Sequence, residues 1–185
     1  MTAPSEAPNI YAFRRNLVVA ASAGTGKTHS LVGVLVHLVL GASELGGEGV
    51  REPVEPSRIV ATTFSRKAAA EIRTRLVDSL ERLAAGDAKA PYHADLAAAM
   101  ERAGRPAWSG ADLGDRARRA LDGIGRAQIG TLHSFAATIA RSYALELGLS
   151  PSFELADEDE SRARTREALE RVVGAETAPS ASRIA

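Results

Sequence analysis

An octet near the start of the chain has the residue types and spacing of a phosphate-binding loop. It matches the Walker A pattern, with alanine in place of glycine at its first position. Its members are Ala21, Ser22, Ala23, Gly24, Thr25, Gly26, Lys27 and Thr28. Glycines let successive backbone amides point at one oxyanion, and the start of a helix adds its positive dipole end. Lys27 would reach the β- and γ-phosphates, and the Thr28 hydroxyl would coordinate Mg²⁺. A glycine turn that only starts a helix is the alternative, and Gly-Lys-Thr at this register favours nucleotide binding.

A second segment combines hydroxyl, aromatic and basic side chains. Thr63, Phe64 and Ser65 are followed at once by Arg66 and Lys67. This mixture at a strand end and a helix start is typical of sites that bind a single nucleic-acid strand. A Thr-Phe-Ser turn is also an ordinary helix cap, so the segment alone does not decide between the two.

A third segment places a hydroxyl and an imidazole at the end of another predicted strand. Thr131 and His133 stand here, and ligands bind at the carboxyl edge of parallel sheets. Taken alone, His133 is as well explained as a structural hydrogen-bonding residue.

Alternating strands and helices are predicted to position these residues. Short apolar runs predict strands at 16–20, 58–64 and 127–132, and apolar residues at spacings of three and four predict helices at 27–40, 66–84 and 134–147. The alternation predicts an α/β fold with a parallel sheet and helices on both faces. Residues 86–126 are predicted to form two short helices on a surface insertion. A charged helix is expected at 157–173, and a frayed tail after it.

Composition limits the classes of protein that fit. The 185 residues suit one main domain, and 45% apolar with 25% charged residues is typical of a folded chain. Zero net charge argues against DNA binding through overall positive charge. The lack of cysteine excludes disulfides, cysteine-ligated zinc and a thiol nucleophile. The longest apolar run, 31–40, is too short to span a bilayer, so we expect a cytoplasmic protein without a membrane partner.

The three segments, in this order, resemble motifs I, Ia and Ib of the UvrD/RecB-like superfamily 1 helicases. The exact sequence of the octet and the His-Ser-Phe form of the third segment look most like the RecB and AddA branch. Members of that branch join a helicase to a recombination nuclease. The resemblance covers residues 15–160. It implies a P-loop NTPase fold, with an N-terminal tail at 1–14, part of a RecA-like first domain at 15–150 and the start of a helical subdomain at 151–185.

The resemblance also implies functions for individual residues. ATP with Mg²⁺ would bind at the octet. Single-stranded DNA would contact five residues, with Arg66 and Lys67 assisting at phosphates; the five are Thr63, Phe64, Ser65, Thr131 and His133. The whole protein would be a translocase moving 3′ to 5′. The branch allows a protein partner for it, namely a second helicase–nuclease subunit.

The sequence also departs from the family pattern. The glutamine that usually reads adenine is not identifiable at 9–16. The acidic run 157–160 imitates the family's Asp-Glu box, but its spacing predicts a helix start. The first helicase domain is therefore expected to be incomplete here, and the isolated chain to bind nucleotide and hydrolyse it negligibly.

Two other classes of function remain open. A P-loop kinase or another small phosphotransferase would share the octet but would leave the second and third segments without a function. A non-catalytic nucleotide- or DNA-binding fragment is the other alternative, and the intact Lys27 and Thr28 count against a degenerate site.

Overall fold

The computed structural model describes residues 10–11, 16–19, 26–42, 52–150, 152–154, 156 and 158–177. Within them lie six α-helices and two β-strands. In chain order these are α1 (Lys27–Leu40), β1 (Val60–Thr63), α2 (Arg66–Ala84), α3 (His93–Arg102), α4 (Gly110–Gly123), β2 (Gln128–Thr131), α5 (Leu132–Ser142) and α6 (Glu158–Thr177). Single 3₁₀ turns at Pro56–Arg58 and Ile124–Arg126 precede the two strands.

The chain divides into two compact units, Met1–Phe135 and Ala136–Ala185. The division falls within α5, ahead of residue 150. The domain boundary that the sequence predicts at 150 concerns the whole protein, and it stays a prediction.

The sheet of the first unit consists of β1 and β2, which run parallel. Val60 pairs with Gln128 and Thr63 with Thr131, and the crossover between the strands contains α2, α3 and α4. The prediction of a parallel sheet is confirmed for these two strands. The chain is thus an α/β protein with a small parallel sheet.

The prediction of a strand at 16–20 is wrong for the residues that can be described there. Residues 16–19 form no strand, and Val18 is 93% exposed. Ala20 lies outside the described residues. An apolar strand is stable only when neighbours pair with its backbone and cover both of its faces. Across the described part of the chain the sheet has two strands, neither of which pairs with this run.

The core of the first unit lies between α1, α2 and α4 and the two strands. Val32, Val36 and Leu40 bury one face of α1. The stripe predicted for α2 is confirmed, because all of its members are buried: Ala69, Ile72, Leu76, Leu80 and Leu83.

The two helices expected at 86–126 are present as α3 and α4, but they are not peripheral. Leu96, Leu113 and Ala117 are buried in the same core as α1 and α2. The stripe that α4 buries is made largely of alanine and glycine, whose small side chains let α4 lie close to α2. A Cβ on Gly114 would meet the Ala84 carbonyl oxygen at 3.4 Å. Such a stripe is weakly apolar, which is why the sequence suggested a surface segment.

The other helix boundaries agree with the sequence for α1 and α2 and differ for α5 and α6. The predicted α1 and α2 are confirmed at both ends. Helix α5 begins and ends earlier than predicted, and residues 143–148 form turns that close at Gly148 with φ +66°. Helix α6 continues to Thr177, past the predicted start of the tail. Among the helices described, none is both long and apolar enough to cross a membrane.

Candidate nucleotide and nucleic-acid site

The structure describes the last three residues of the octet. Gly26 is the N-cap of α1 with φ 82° and ψ 16°, a left-handed conformation that glycine adopts without strain. Lys27 is exposed and Thr28 half-buried in the first turn. The remaining members lie outside the described residues: Ala21, Ser22, Ala23, Gly24 and Thr25.

This helix start suits an anionic ligand. Its N-cap makes no side-chain hydrogen bond to the first-turn amides, and no acidic residue stands in that turn. The amides at a helix start and the helix dipole favour negative charge, and the Lys27 ammonium adds to them. The Thr28 hydroxyl is a suitable oxygen ligand for a cation held jointly with phosphate oxygens. The residues present therefore fit a nucleotide phosphate with Mg²⁺.

The end of β1 combines an aromatic ring with cations. Phe64 is 99% exposed, so nothing in the described structure covers its ring. The Ser65 Oγ accepts a hydrogen bond from the Ala68 amide at 3.1 Å and caps α2. Arg66 and Lys67 follow as exposed side chains in the first turn of α2. Ser65 thus has the ordinary capping role, and its hydroxyl proton is still available to a ligand.

The end of β2 passes directly into α5. The Thr131 Oγ1 accepts from the Ser134 amide at 3.1 Å, and the Ser134 hydroxyl donates to the Thr131 carbonyl at 2.7 Å. This cap at Thr131 explains why α5 begins two residues before the predicted start. His133 lies exposed in the first turn of α5.

The parallel register brings these two strand ends together. Thr63 is paired with Thr131, so the residues after each strand leave the same edge of the sheet. The Arg73 guanidinium donates to the Ile129 carbonyl at 2.9 Å and ties α2 to β2. The second and third segments therefore form one surface.

A contact that the sequence did not indicate joins the turn before α3 to the start of α1. The Tyr92 hydroxyl donates to the His29 carbonyl at 2.8 Å and lies 3.0 Å from His29 Nδ1. Tyr92 has φ 67°, and in the described structure it is the one residue other than glycine with positive φ. Burial raises the pKa of Tyr92 to about 12, so its hydroxyl remains a donor at neutral pH.

Residues 2–183 match the model of the UvrD/REP helicase N-terminal domain family. The chain is also similar to three curated proteins, each of which is named as one of the subunits of an ATP-dependent helicase/nuclease. For that of Anoxybacillus flavithermus the identity is 32% over 161 residues, covering 87% of this chain and 11% of the relative. For Geobacillus kaustophilus it is 34% over 159 residues, covering 86% and 10%. For Desulforudis audaxviator it is 33% over 169 residues, covering 91% and 11%. The chain thus spans about a tenth of the length of these curated relatives.

Proposed function

This chain belongs to the UvrD/REP helicase N-terminal domain family, and from that membership we propose that it is the ATP-binding part of an ATP-dependent DNA helicase of the UvrD/RecB type. The observation that carries the proposal is the start of α1, where Gly26 at φ 82° leads into Lys27 and Thr28 in a chain matched by the family over residues 2–183. The relatives' names favour a helicase–nuclease that acts in DNA repair or recombination. The RecA-like sheet with helices on both faces, and 3′ to 5′ movement, belong to the same proposal.

In the proposed nucleotide site the octet would contribute backbone amides, one cation and one hydroxyl. The octet from Ala21 to Thr28 would bind the phosphates, and the first-turn amides of α1 would add the helix dipole. Lys27 would place its ammonium against the β- and γ-phosphates, and the Thr28 hydroxyl would be one of the oxygens that hold Mg²⁺. Mg²⁺ held there would supply positive charge beside the phosphate oxygens.

In the proposed DNA site the strand ends hold a single strand. The exposed Phe64 ring stacks on a base, which elsewhere contributes about 1–3 kcal/mol per base. Arg66 and Lys67 pair with phosphates, and His133 stands at the neighbouring strand end. The hydroxyls of the three remaining candidates complete the contacts: Thr63, Ser65 and Thr131.

For the whole protein the proposal extends to partners and location. The relatives are named as subunits, so a second helicase–nuclease subunit is the protein partner we propose. We place the protein in the cytoplasm.

The nucleotide site is tested with a fluorescent ATP analogue and Mg²⁺. Lys27→Ala should weaken binding by at least about tenfold, because the charge on the terminal phosphates is lost. Lys89→Ala is the matched control, since it removes the same charge from a residue outside the three motifs. Equal affinities for the two variants would contradict the proposal.

ATP hydrolysis by the 185-residue chain should be negligible, and robust DNA-stimulated turnover would show that expectation to be wrong.

The DNA site is tested by fluorescence anisotropy with a labelled single-stranded oligonucleotide. Phe64→Ala should weaken binding about tenfold at fixed salt through lost stacking. The fold should be unaffected, because the ring is exposed. Tyr143→Ala, which removes another exposed aromatic ring, should bind like the unmodified chain. A chain that ignores DNA altogether would favour a phosphotransferase over a helicase.

A further inference from the structure

We propose that Tyr92 is a positioning residue that fixes the first turn of α1, and with it Lys27 and Thr28, for contact with the nucleotide phosphates. The inference rests on the proposed function, because it concerns the same phosphate site. It gives residues 86–126 a role in nucleotide binding that the three motifs do not contain.

The first turn of α1 buries none of its own side chains in the core. Lys27 and His29 are exposed, and Thr28 and Ser30 are half-buried. The buried residues of α1 begin only at Val32. The turn of α1 that would contact phosphate is therefore the turn with the fewest side chains packed in the core of the first unit.

Tyr92 supplies a contact at that turn. Its side chain is 6% exposed, and its ring stacks on the His29 ring at 4.6 Å between centroids. The hydroxyl donates to the His29 carbonyl at 2.8 Å. It also lies 3.0 Å from Nδ1, so the Nδ1–H tautomer of His29 donates to the tyrosine oxygen in turn. Backbone and side chain of the residue directly after Thr28 are both engaged.

The backbone of Tyr92 indicates that this contact is maintained against a local preference. A φ of 67° is disfavoured for a residue with a bulky side chain, and glycine would adopt it freely. Outliers of this kind persist only where the surrounding structure over-determines them. What tyrosine provides here and glycine cannot is the ring and hydroxyl on His29.

The same segment also holds the other end of α1. The Arg116 guanidinium on α4 donates to the Leu40 carbonyl at 3.1 Å. Helix α1 is thus fixed at its C-terminal end from α4 and at its phosphate end from Tyr92. Loss of the Tyr92 hydroxyl should loosen the first turn and leave the second half of the helix in place.

The test compares Tyr92→Phe with Tyr143→Phe in the full 185-residue chain. Both delete one phenolic hydroxyl, and Tyr143 is 57% exposed in the other unit. Tyr92→Phe should weaken binding of a fluorescent ATP analogue with Mg²⁺ roughly three- to tenfold, as expected for one lost hydrogen bond. Tyr143→Phe should not change it. His29→Ala, at an exposed position, removes the ring and Nδ1 and should also weaken binding. This second variant tests the contact when Tyr92→Phe folds poorly.

Two further measurements separate positioning from stability. Amide hydrogen exchange without nucleotide should become faster in residues 30–33 of Tyr92→Phe, whose amides bond to the first turn, and stay unchanged in residues 35–40. Urea unfolding should show that both variants are fully folded in the binding assay. A lowered urea midpoint with unchanged affinity would overturn the positioning role alone. Failure of the unmodified chain to bind the analogue would overturn the proposed function and this inference together.

Discussion

At the scale of single residues, His37 is a histidine whose neutral form is the one the core accommodates. Its side chain is fully buried on α1, and its ring stacks on Tyr11 at 4.0 Å. Because the Gly33 carbonyl accepts at 2.7 Å, Nδ1 carries the proton. Nε2 makes no hydrogen bond to any residue that the structure describes, and the backbone of Asp95 lies near the ring outside hydrogen-bond geometry. Protonation would place a charge on that unpartnered nitrogen.

This environment predicts that the chain loses stability in mild acid. Burial lowers the pKa of His37 below its ordinary value of 6.5, although the Gly33 hydrogen bond and Asp95 oppose the shift and Arg102 adds to it. The unfolded chain then binds the proton more readily, so the free energy of unfolding falls as the pH decreases below about 6.5 through the folded pKa. Urea unfolding at pH 7.5 and 5.5 measures this loss, and His37→Phe, which keeps an aromatic ring against Tyr11, should reduce it.

The control for this prediction is His93→Gln at the start of α3. This variant should retain the pH dependence of the unmodified chain, because it leaves His37 and its hydrogen bond to Gly33 in place. If His37→Phe lost as much stability between the two pH values as the unmodified chain, another group would be responsible.

Local structure could be predicted from sequence where the partners are close in the chain. Gly26 leads into α1, and Ser65 caps an amide three residues later. The roles of Lys27 and Thr28 at a nucleotide stay predictions. Tyr92 could not be predicted, because its partner His29 lies 63 residues away and nothing local marks a tyrosine for a left-handed turn.

At the scale of elements, the junction from β2 to α5 is tight at Gly130. A Cβ there would lie 2.5 Å from the Ser134 Oγ, which donates to the Thr131 carbonyl. Gly130→Ala should therefore displace the Ser134 hydroxyl and lower the free energy of unfolding by about 1 kcal/mol through the lost hydrogen bond. Ser134→Ala should cost about 1 kcal/mol through the lost hydrogen bond.

The double variant Gly130→Ala/Ser134→Ala tests the cause. Removing the Ser134 hydroxyl also removes the atom that the new Cβ would meet. The double variant should then be less destabilised than the two single effects combined, as measured by urea unfolding. Additive effects would mean that the contact with the Ser134 hydroxyl is not the cause.

Elements were predictable where their stabilising contacts are written in a local pattern. Helices α1 and α2 have strong apolar faces, and a glycine and a capping serine mark their starts, so their boundaries follow from sequence. The run at 16–20 has the residues of a strand, but a strand also needs neighbours, and none of the described strands pairs with it. The burial of α4 depends on how closely small residues approach α2, a property that hydrophobicity does not report.

At the scale of the whole molecule, the two compact units differ in how much they bury. Residues 159–173 of α6 are all exposed, and the helix gains from local pairs such as Arg164 with Glu160 at 2.6 Å. Pairs of this kind contribute little, and most helix stability in proteins comes from packing of one face against a core. Helix α2 instead buries one face in the core of its unit.

Hydrogen exchange measured by mass spectrometry should reveal this difference within one sample. Peptides from α6 should exchange on the order of a hundredfold faster than peptides from α2, since α6 can open without disturbing a core. The peptides of α2 serve as the internal control. Comparable protection in the two helices would mean that α6 is covered in solution.

The pairing of Val60 with Gln128 has a consequence for the order of events during folding. The chain must close a loop containing α2, α3 and α4 before β1 and β2 can pair. Closure of long loops is slow compared with helix formation. We therefore expect the three helices to associate first and the strands to join last. During synthesis, the strand ends that would bind DNA cannot meet until residue 131 has left the ribosome.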